Sequence, residues 1–238
     1  MPGGVPVLWI DQVMLDWDGF RLSADLQVPQ GARVAVIGPS GGGKSTLLMA
    51  LAGFLTPKAG RILWQGRDIT ALPPAARPMA ILFQDQNLFP HLTVAQNLGL
   101  ALDPDLRLTA DQRARIASVL DRLGLAGLDQ RRPGQISGGQ AARAALGRVL
   151  LQDRPVLLLD EPFAALGPAL KADLLGLVAD LAAESGTTVL MVTHDPADAR
   201  RFADQTVLVA EGRAHPPAPT ADIFANPPPA LRDYLGGP

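Results

Sequence analysis

Short apolar runs alternate with stretches of helical spacing along most of this chain, which predicts a largely parallel sheet covered by helices. The predicted strands are Val7–Ile10, Arg33–Ile37, Arg61–Trp64, Met79–Phe83, Val156–Leu159, Thr188–Val192 and Thr206–Ala210. Arg33–Ile37 and Val156–Leu159 are apolar nearly throughout, as strands buried on both faces are. A helix is expected over Ser45–Ala52, ending at Gly53 as its C-cap. Between Asn87 and Arg154 the texture changes: Thr93–Ala101, Ala110–Leu123 and Gly138–Gln152 carry helical spacing with no clear strand among them. The pattern thus gives an α/β domain over residues 1–214, with a helical insertion over roughly 87–154. The remainder, 215–238, is rich in proline, should hold only short helices, and is too short for a regulatory domain.

Composition narrows the classes. Of 238 residues, 47% are hydrophobic, enough for a sizeable core, and none is cysteine, which excludes disulfide scaffolds and thiolate metal sites. A net charge of −2 gives no general attraction to nucleic acid or to an anionic membrane surface. The first residues lack the basic-then-apolar order of a secretory signal, and no run approaches the roughly 18 apolar residues of a membrane span. The chain reads as soluble by itself, so a membrane role must come through a partner.

The candidate chemistry lies in three segments. Gly38-Pro39-Ser40-Gly41-Gly42-Gly43-Lys44-Ser45 matches the phosphate-loop pattern, between a predicted strand and a predicted helix that continues through Thr46. Its glycines let backbone N–H groups converge on phosphate oxygens at a helix N-terminus. Lys44 can reach the β- and γ-phosphates, and the Ser45 hydroxyl can ligate Mg²⁺. The strand Val156–Leu159 runs into Asp160-Glu161, at the edge where open α/β sheets bind ligands. Asp160 is suited to Mg²⁺, and Glu161 to polarising a water for attack on the γ-phosphorus. The third segment, Ser137-Gly138-Gly139-Gln140, has the form of a serine N-cap opening a helix.

Taken in order, the phosphate loop, Gln84 after a strand, Ser137 to Gln140, Val156 to Glu161, and His194 resemble the motifs of an ATP-binding cassette (ABC) ATPase. The resemblance spans about Val7 to Ala214 and implies a phosphate-loop NTPase fold with a helical subdomain and an antiparallel β subdomain. It implies a head-to-tail dimer of two copies, with ATP between one copy's Lys44 loop and the other's Ser137, Gly138, Gly139 and Gln140. It gives Gln84 to Mg²⁺ and the attacking water, and His194 to the γ-phosphate. It also implies an aromatic residue against the adenine, Trp17 with Phe20 as competitor. One departure stands out: Gly167 occupies the place of the family's usual aspartate in Ala164-Ala165-Leu166-Gly167, and Ala164 that of a serine.

Within the family, Gly53 to Pro57, Leu72-Pro73-Pro74, Arg77-Pro78 and Asn87 to Asn97 are similar to the ATP-binding subunits of bacterial thiamine importers. That likeness implies coupling of ATP hydrolysis to uptake of thiamine or its pyrophosphate. The implied setting is the cytoplasmic face of the bacterial inner membrane, as a peripheral subunit. A permease would dock near Gln84–Leu92, with Leu88 and Phe89 as apolar contacts, and a periplasmic solute-binding protein would act indirectly. An importer for another solute, a soluble DNA-maintenance ATPase and a small-molecule kinase are the alternatives. The second needs a coiled coil or a basic face, and neither is evident.

Overall fold

The computed structural model describes residues 6–17, 19–85 and 88–236, with the side chains of Pro6 and Trp17 outside that description. The strands are β1 (Pro6–Trp17), β2 (Phe20–Pro29), β3 (Arg33–Ile37), β4 (Ala59–Trp64), β5 (Arg67–Asp68), β6 (Met79–Leu82), β7 (Val156–Asp160), β8 (Thr188–Val192), β9 (Gln205–Ala210), β10 (Arg213–Ala214) and β11 (Ala218–Pro219). The helices are α1 (Lys44–Ala52), α2 (Val94–Gly99), α3 (Ala110–Arg122), α4 (Gly138–Leu150), α5 (Pro168–Ser185), α6 (Pro196–Phe202), α7 (Thr220–Ala225) and α8 (Pro229–Tyr234).

All strands join in the order β5-β4-β1-β2-β10-β9-β3-β8-β7-β6, with β11 added on β9. Strands β9, β3, β8, β7 and β6 pair in parallel, whereas β2, β1, β4 and β5 form an antiparallel wing. The short β10 joins the two halves, parallel to β2 and antiparallel to β9.

Alternation along the parallel strands divides the core into two clusters. Ala35 and Ile37 of β3 face one, with Leu157 and Leu159 of β7, α4 and α5; Val34 and Val36 face the other, with Val156, Leu158, α1 and the antiparallel wing. Both faces being covered is why the central positions of β3 and β7 are apolar on both sides, with polar residues only at the strand ends, Arg33 and Asp160. Helices α2, α3 and α4 lie between β6 and β7 in the chain. Each starts with the same device, a Ser or Thr cap reciprocated by a Gln three residues on: Thr93 with Gln96, Thr109 with Gln112, Ser137 with Gln140.

The C-terminal residues pack on the body. β11 pairs with β9, and the Thr220 and Thr206 hydroxyls meet at 2.9 Å in the interior. Leu231 of α8 is fully buried in the core. Strand β2 is absent from the sequence prediction because its burial alternates, Leu22, Ala24, Leu26 and Val28 inward and the polar Ser23, Asp25 and Gln27 between them, so no continuous apolar run marks it.

Candidate functional site

The site forms at the C-terminal edge of the parallel strands. Strand β3 ends at Ile37 and the loop Gly38 to Gly43 turns into α1. Gly38 has φ 147, and a Cβ there would lie 1.9 Å from the carbonyl oxygen of Val209, so no larger residue fits against β9. Gly43 has φ 95, and its missing Cβ makes room for the Phe20 ring at 2.6 Å. The buried Lys44 ammonium donates to the carbonyls of Gly38 at 2.9 Å and Pro39 at 2.8 Å, which leaves one of its three N–H bonds. Burial lowers the Lys44 pKa against the opposing pull of Glu161 and Asp160.

Strand β7 brings Asp160 beside α1, where the Ser45 hydroxyl donates to its Oδ1 at 2.9 Å. Burial raises the Asp160 pKa; the Ser45 bond opposes it, and Glu161 adds to the rise. A half-buried carboxylate beside a second carboxylate and a hydroxyl is a set of hard oxygens that favours a small divalent cation. Among the described residues no cluster of three acidic or histidine side chains would hold a metal alone. Magnesium typically takes one or two protein oxygens and completes its shell with water and substrate phosphates, so this sparse set fits it.

Glu161 has φ 44, an uncommon left-handed backbone for a residue with a side chain. Its N–H is tied to the Val192 carbonyl at 3.1 Å on the neighbouring strand, and its carboxylate meets His194 Nδ1 at 2.7 Å. The same carboxylate lines the cleft with Phe20, Ser40, Lys44, Ser45 and Thr46. His194 is itself bracketed. Thr193 Oγ1 accepts from the Asp195 N–H and donates to Asp198, and Lys171 of α5 bridges Asp195 at 2.7 Å and Asp198 at 2.9 Å.

The structure thus brings together Gly38, Lys44, Ser45, Asp160, Glu161 and His194. Gln84 follows β6 at the same edge, two residues past Leu82, which pairs with Leu159; its side chain is exposed. Ser137 to Gln140 are not part of the Lys44 cleft. Ser137 Oγ accepts from the Gln140 N–H and Gln140 Oε1 from the Ser137 N–H, so both side chains cap α4. Ser137 and Gly138 are exposed, and open space surrounds the position of a Gly138 Cβ. Gly139 instead packs under Leu170, 2.4 Å from where its Cβ would be. The side chain of Trp17 lies outside the described residues, whereas Phe20 packs directly on the phosphate loop. Gly167 is the N-cap of α5 and supplies no capping side chain.

In the expected docking segment, Gln86 and Asn87 lie outside the described residues. Leu88 packs inward on the core, while Phe89 is 45% exposed. Buried Asn97 pins this segment: its Oδ1 accepts from the Phe89 N–H at 2.7 Å and its amide donates to the carbonyls of Phe89, Leu92 and Thr93. Sequence reasoning missed the roles of Asn97 and Lys171. Both act through partners that no local pattern reveals.

The sequence profile of the ABC transporter family matches residues 22–164. The thiamine import ATP-binding protein of Cereibacter sphaeroides is 65% identical over 97% of this chain and 100% of its own length. That of Yersinia pseudotuberculosis is 47% identical over 90% of this chain and 91% of its own. Two solved structures share the fold. The cbiO1 protein of Clostridium perfringens, part of an ABC transporter complex, gives a TM-score of 0.83 at 28% identity, covering 93% of this chain and 91% of that one. The MJ1267 ATP-binding cassette in its ADP conformation gives 0.86 at 25% identity, covering 98% and 99%. With its phosphate loop, acidic strand end and histidine loop at one sheet edge, this chain belongs to the ATP-binding subunits of ABC transporters.

Proposed function

We propose that the chain binds and hydrolyses ATP to energise an importer, and that the solute is thiamine or a phosphate ester of it. The observation that carries the catalytic reading is the convergence of Lys44, the Ser45–Asp160 pair and the Glu161–His194 pair on one cleft. Lys44 and the loop N–H groups hold the β- and γ-phosphates. Glu161 takes a proton from the attacking water as the bond from γ-phosphorus to ADP breaks, and His194 contacts the γ-phosphate. Ser45 and Asp160, with Gln84, would hold Mg²⁺, whose charge offsets that of the phosphates. Phe20 or Trp17 stacks on the adenine.

The exposed Ser137 and Gly138 point to a second copy. Gly138 has no packing reason within its own chain to lack a side chain. A backbone approach by a partner's phosphate supplies one, at a helix N-terminus that favours anions. Membrane attachment is indirect: among the described residues no helix is long and apolar enough to cross a bilayer. A permease docks at the exposed apolar surface near Phe89 and Phe54, whose ring pairs with Phe83 at 5.8 Å. The solute rests on the names of the relatives.

Two experiments test this reading. Glu161→Gln should lower turnover by at least about 10² while the ATP-bound dimer accumulates on size-exclusion chromatography; undiminished hydrolysis would remove Glu161 as the base. Cells lacking this chain should lose uptake of labelled thiamine. Normal uptake in cells with no other thiamine importer would overturn the solute assignment and leave the ATPase reading standing.

A further inference from the structure

The C-terminal segment reaches the catalytic edge. Its helix α7 is fastened by the Thr220 N–H to the Asp204 carbonyl at 3.0 Å, and by Phe224 lying 4.5 Å from the Arg200 guanidinium of α6. Fully buried Leu231 then fixes α8. Three residues on, Tyr234 lies on the same side of that helix as Leu231. Its hydroxyl donates to the backbone carbonyl of His194, 40 residues earlier in the chain.

The backbone on either side of His194 is held by the Thr193 N–H to the Val36 carbonyl, by the Asp195 N–H to Thr193 Oγ1 and by the Lys171 bridge to Asp195. The contact with Tyr234 is made to the peptide of His194 itself. Fixing that peptide fixes the origin of the imidazole, whose Nδ1 is already committed to Glu161 at 2.7 Å. Burial, with Glu161 and Asp195 nearby, raises the Tyr234 pKa, so the phenol stays protonated and remains a donor.

We propose that Tyr234 is a positioning residue for ATP hydrolysis, making the C-terminal segment part of the catalytic site by holding the His194 peptide. The inference rests on the reading of His194 as the γ-phosphate contact. The test is steady-state ATPase kinetics on the full chain for Tyr234→Phe, His194→Ala and the double variant. Phenylalanine keeps the ring and its packing and removes only the hydroxyl. It should lower kcat about five- to tenfold, the value of one hydrogen bond, with KM for ATP unchanged and Tm lowered by no more than about 4 °C. In the His194→Ala background it should have no further effect.

An unchanged kcat for Tyr234→Phe beside a crippled His194→Ala would overturn the inference alone, and so would additive losses in the double variant. Full activity of His194→Ala would overturn the reading of His194 and the inference with it. Hydrogen exchange supplies a second readout where His194→Ala leaves too little turnover to compare. Tyr234→Phe should speed exchange at the amides of residues 193–195 and not in α1. Unchanged exchange there would also overturn the proposal.

Discussion

Replacing Arg77 by methionine should destabilise the protein far from any bound nucleotide, through the C-terminal end of the phosphate-loop helix. The Arg77 side chain is 1% exposed, and its guanidinium donates only to carbonyl oxygens: Ala50 at 2.7 Å, Leu51 at 2.6 Å, Leu72 at 2.9 Å and Thr70 at 2.7 Å. Ala50 and Leu51 belong to the last turn of α1, where carbonyls lack intrahelical donors and the dipole favours a cation. Burial lowers the Arg77 pKa, yet guanidinium stays charged in proteins. After substitution Ala50 keeps the Gly53 N–H at 3.2 Å, while Leu51, Leu72 and Thr70 each lose a buried donor. At roughly 1 kcal/mol or more for each orphaned acceptor, plus the lost dipole term, the cost is about 3–4 kcal/mol. Desolvation of the lost cation works against the larger sums that simple addition would give. For a domain of this size the Tm should fall by roughly 6–16 °C. Thermal and guanidinium unfolding followed by circular dichroism measure both quantities. Arg77→Lys should recover less than half, because a compact ammonium cannot span carbonyls from α1 and from the loop after β5. A methionine variant within about 1 kcal/mol of the parent would refute the reasoning, and so would a lysine variant equal to arginine.

Other outcomes follow from the same geometry. Lys171→Met should cost about 1–2 kcal/mol near neutral pH, since Lys171 is only 18% exposed between two carboxylates. The Lys171 bond outweighs burial to hold the Asp195 pKa below the usual range, so that contribution is present above about pH 4 and disappears as pH falls through the lowered value. Burial lowers the Lys171 pKa, but Asp195 and Asp198 together raise it on balance, so its contribution holds below about pH 10. Denaturation at several pH values should show the gap between parent and variant flat from about pH 5 to 9 and closing toward pH 3; a gap unchanged in acid would contradict this. Gly167→Asp should gain about 0.5 kcal/mol in urea unfolding, because the N-cap of α5 lacks a side-chain acceptor and has open space for one. Gly38→Ala should abolish binding of a fluorescent ATP analogue and lower the Tm, since its Cβ would collide with the Val209 carbonyl.

How much of the site was legible varies with how far apart its members lie. The strand Arg33–Ile37, predicted from its apolar run, forms with those bounds, and so does Thr188–Val192. The helical spacing over Gly138–Gln152 gives α4, ending two residues earlier at Leu150. The wing strand β2 escaped because alternating burial leaves no run to see. Gln140 shows a different limit. Its place in the Ser-Gly-Gly-Gln motif suggested a phosphate contact, while the same spacing, with threonine in place of serine, caps α2 and α3 as well. One local pattern therefore serves capping and admits the second role only where a partner copy approaches.

The phosphate loop and the acidic strand end were determined by sequence alone, because their chemistry is contiguous. A glycine run between a strand and a helix leaves the backbone few conformations, and Lys44 and Ser45 follow in register. Only the tertiary structure decided what braces them. Arg77 finds the end of α1 from 26 residues away, Lys171 finds Asp195 from 24, and Tyr234 finds His194 from 40. Both Arg77 and Tyr234 bond to main-chain carbonyls, which every residue carries, so the identity of the acceptor leaves no mark in the sequence. Those pairings exist because the sheet order sets β3, β8 and β7 side by side and the C-terminal segment folds back across their edge.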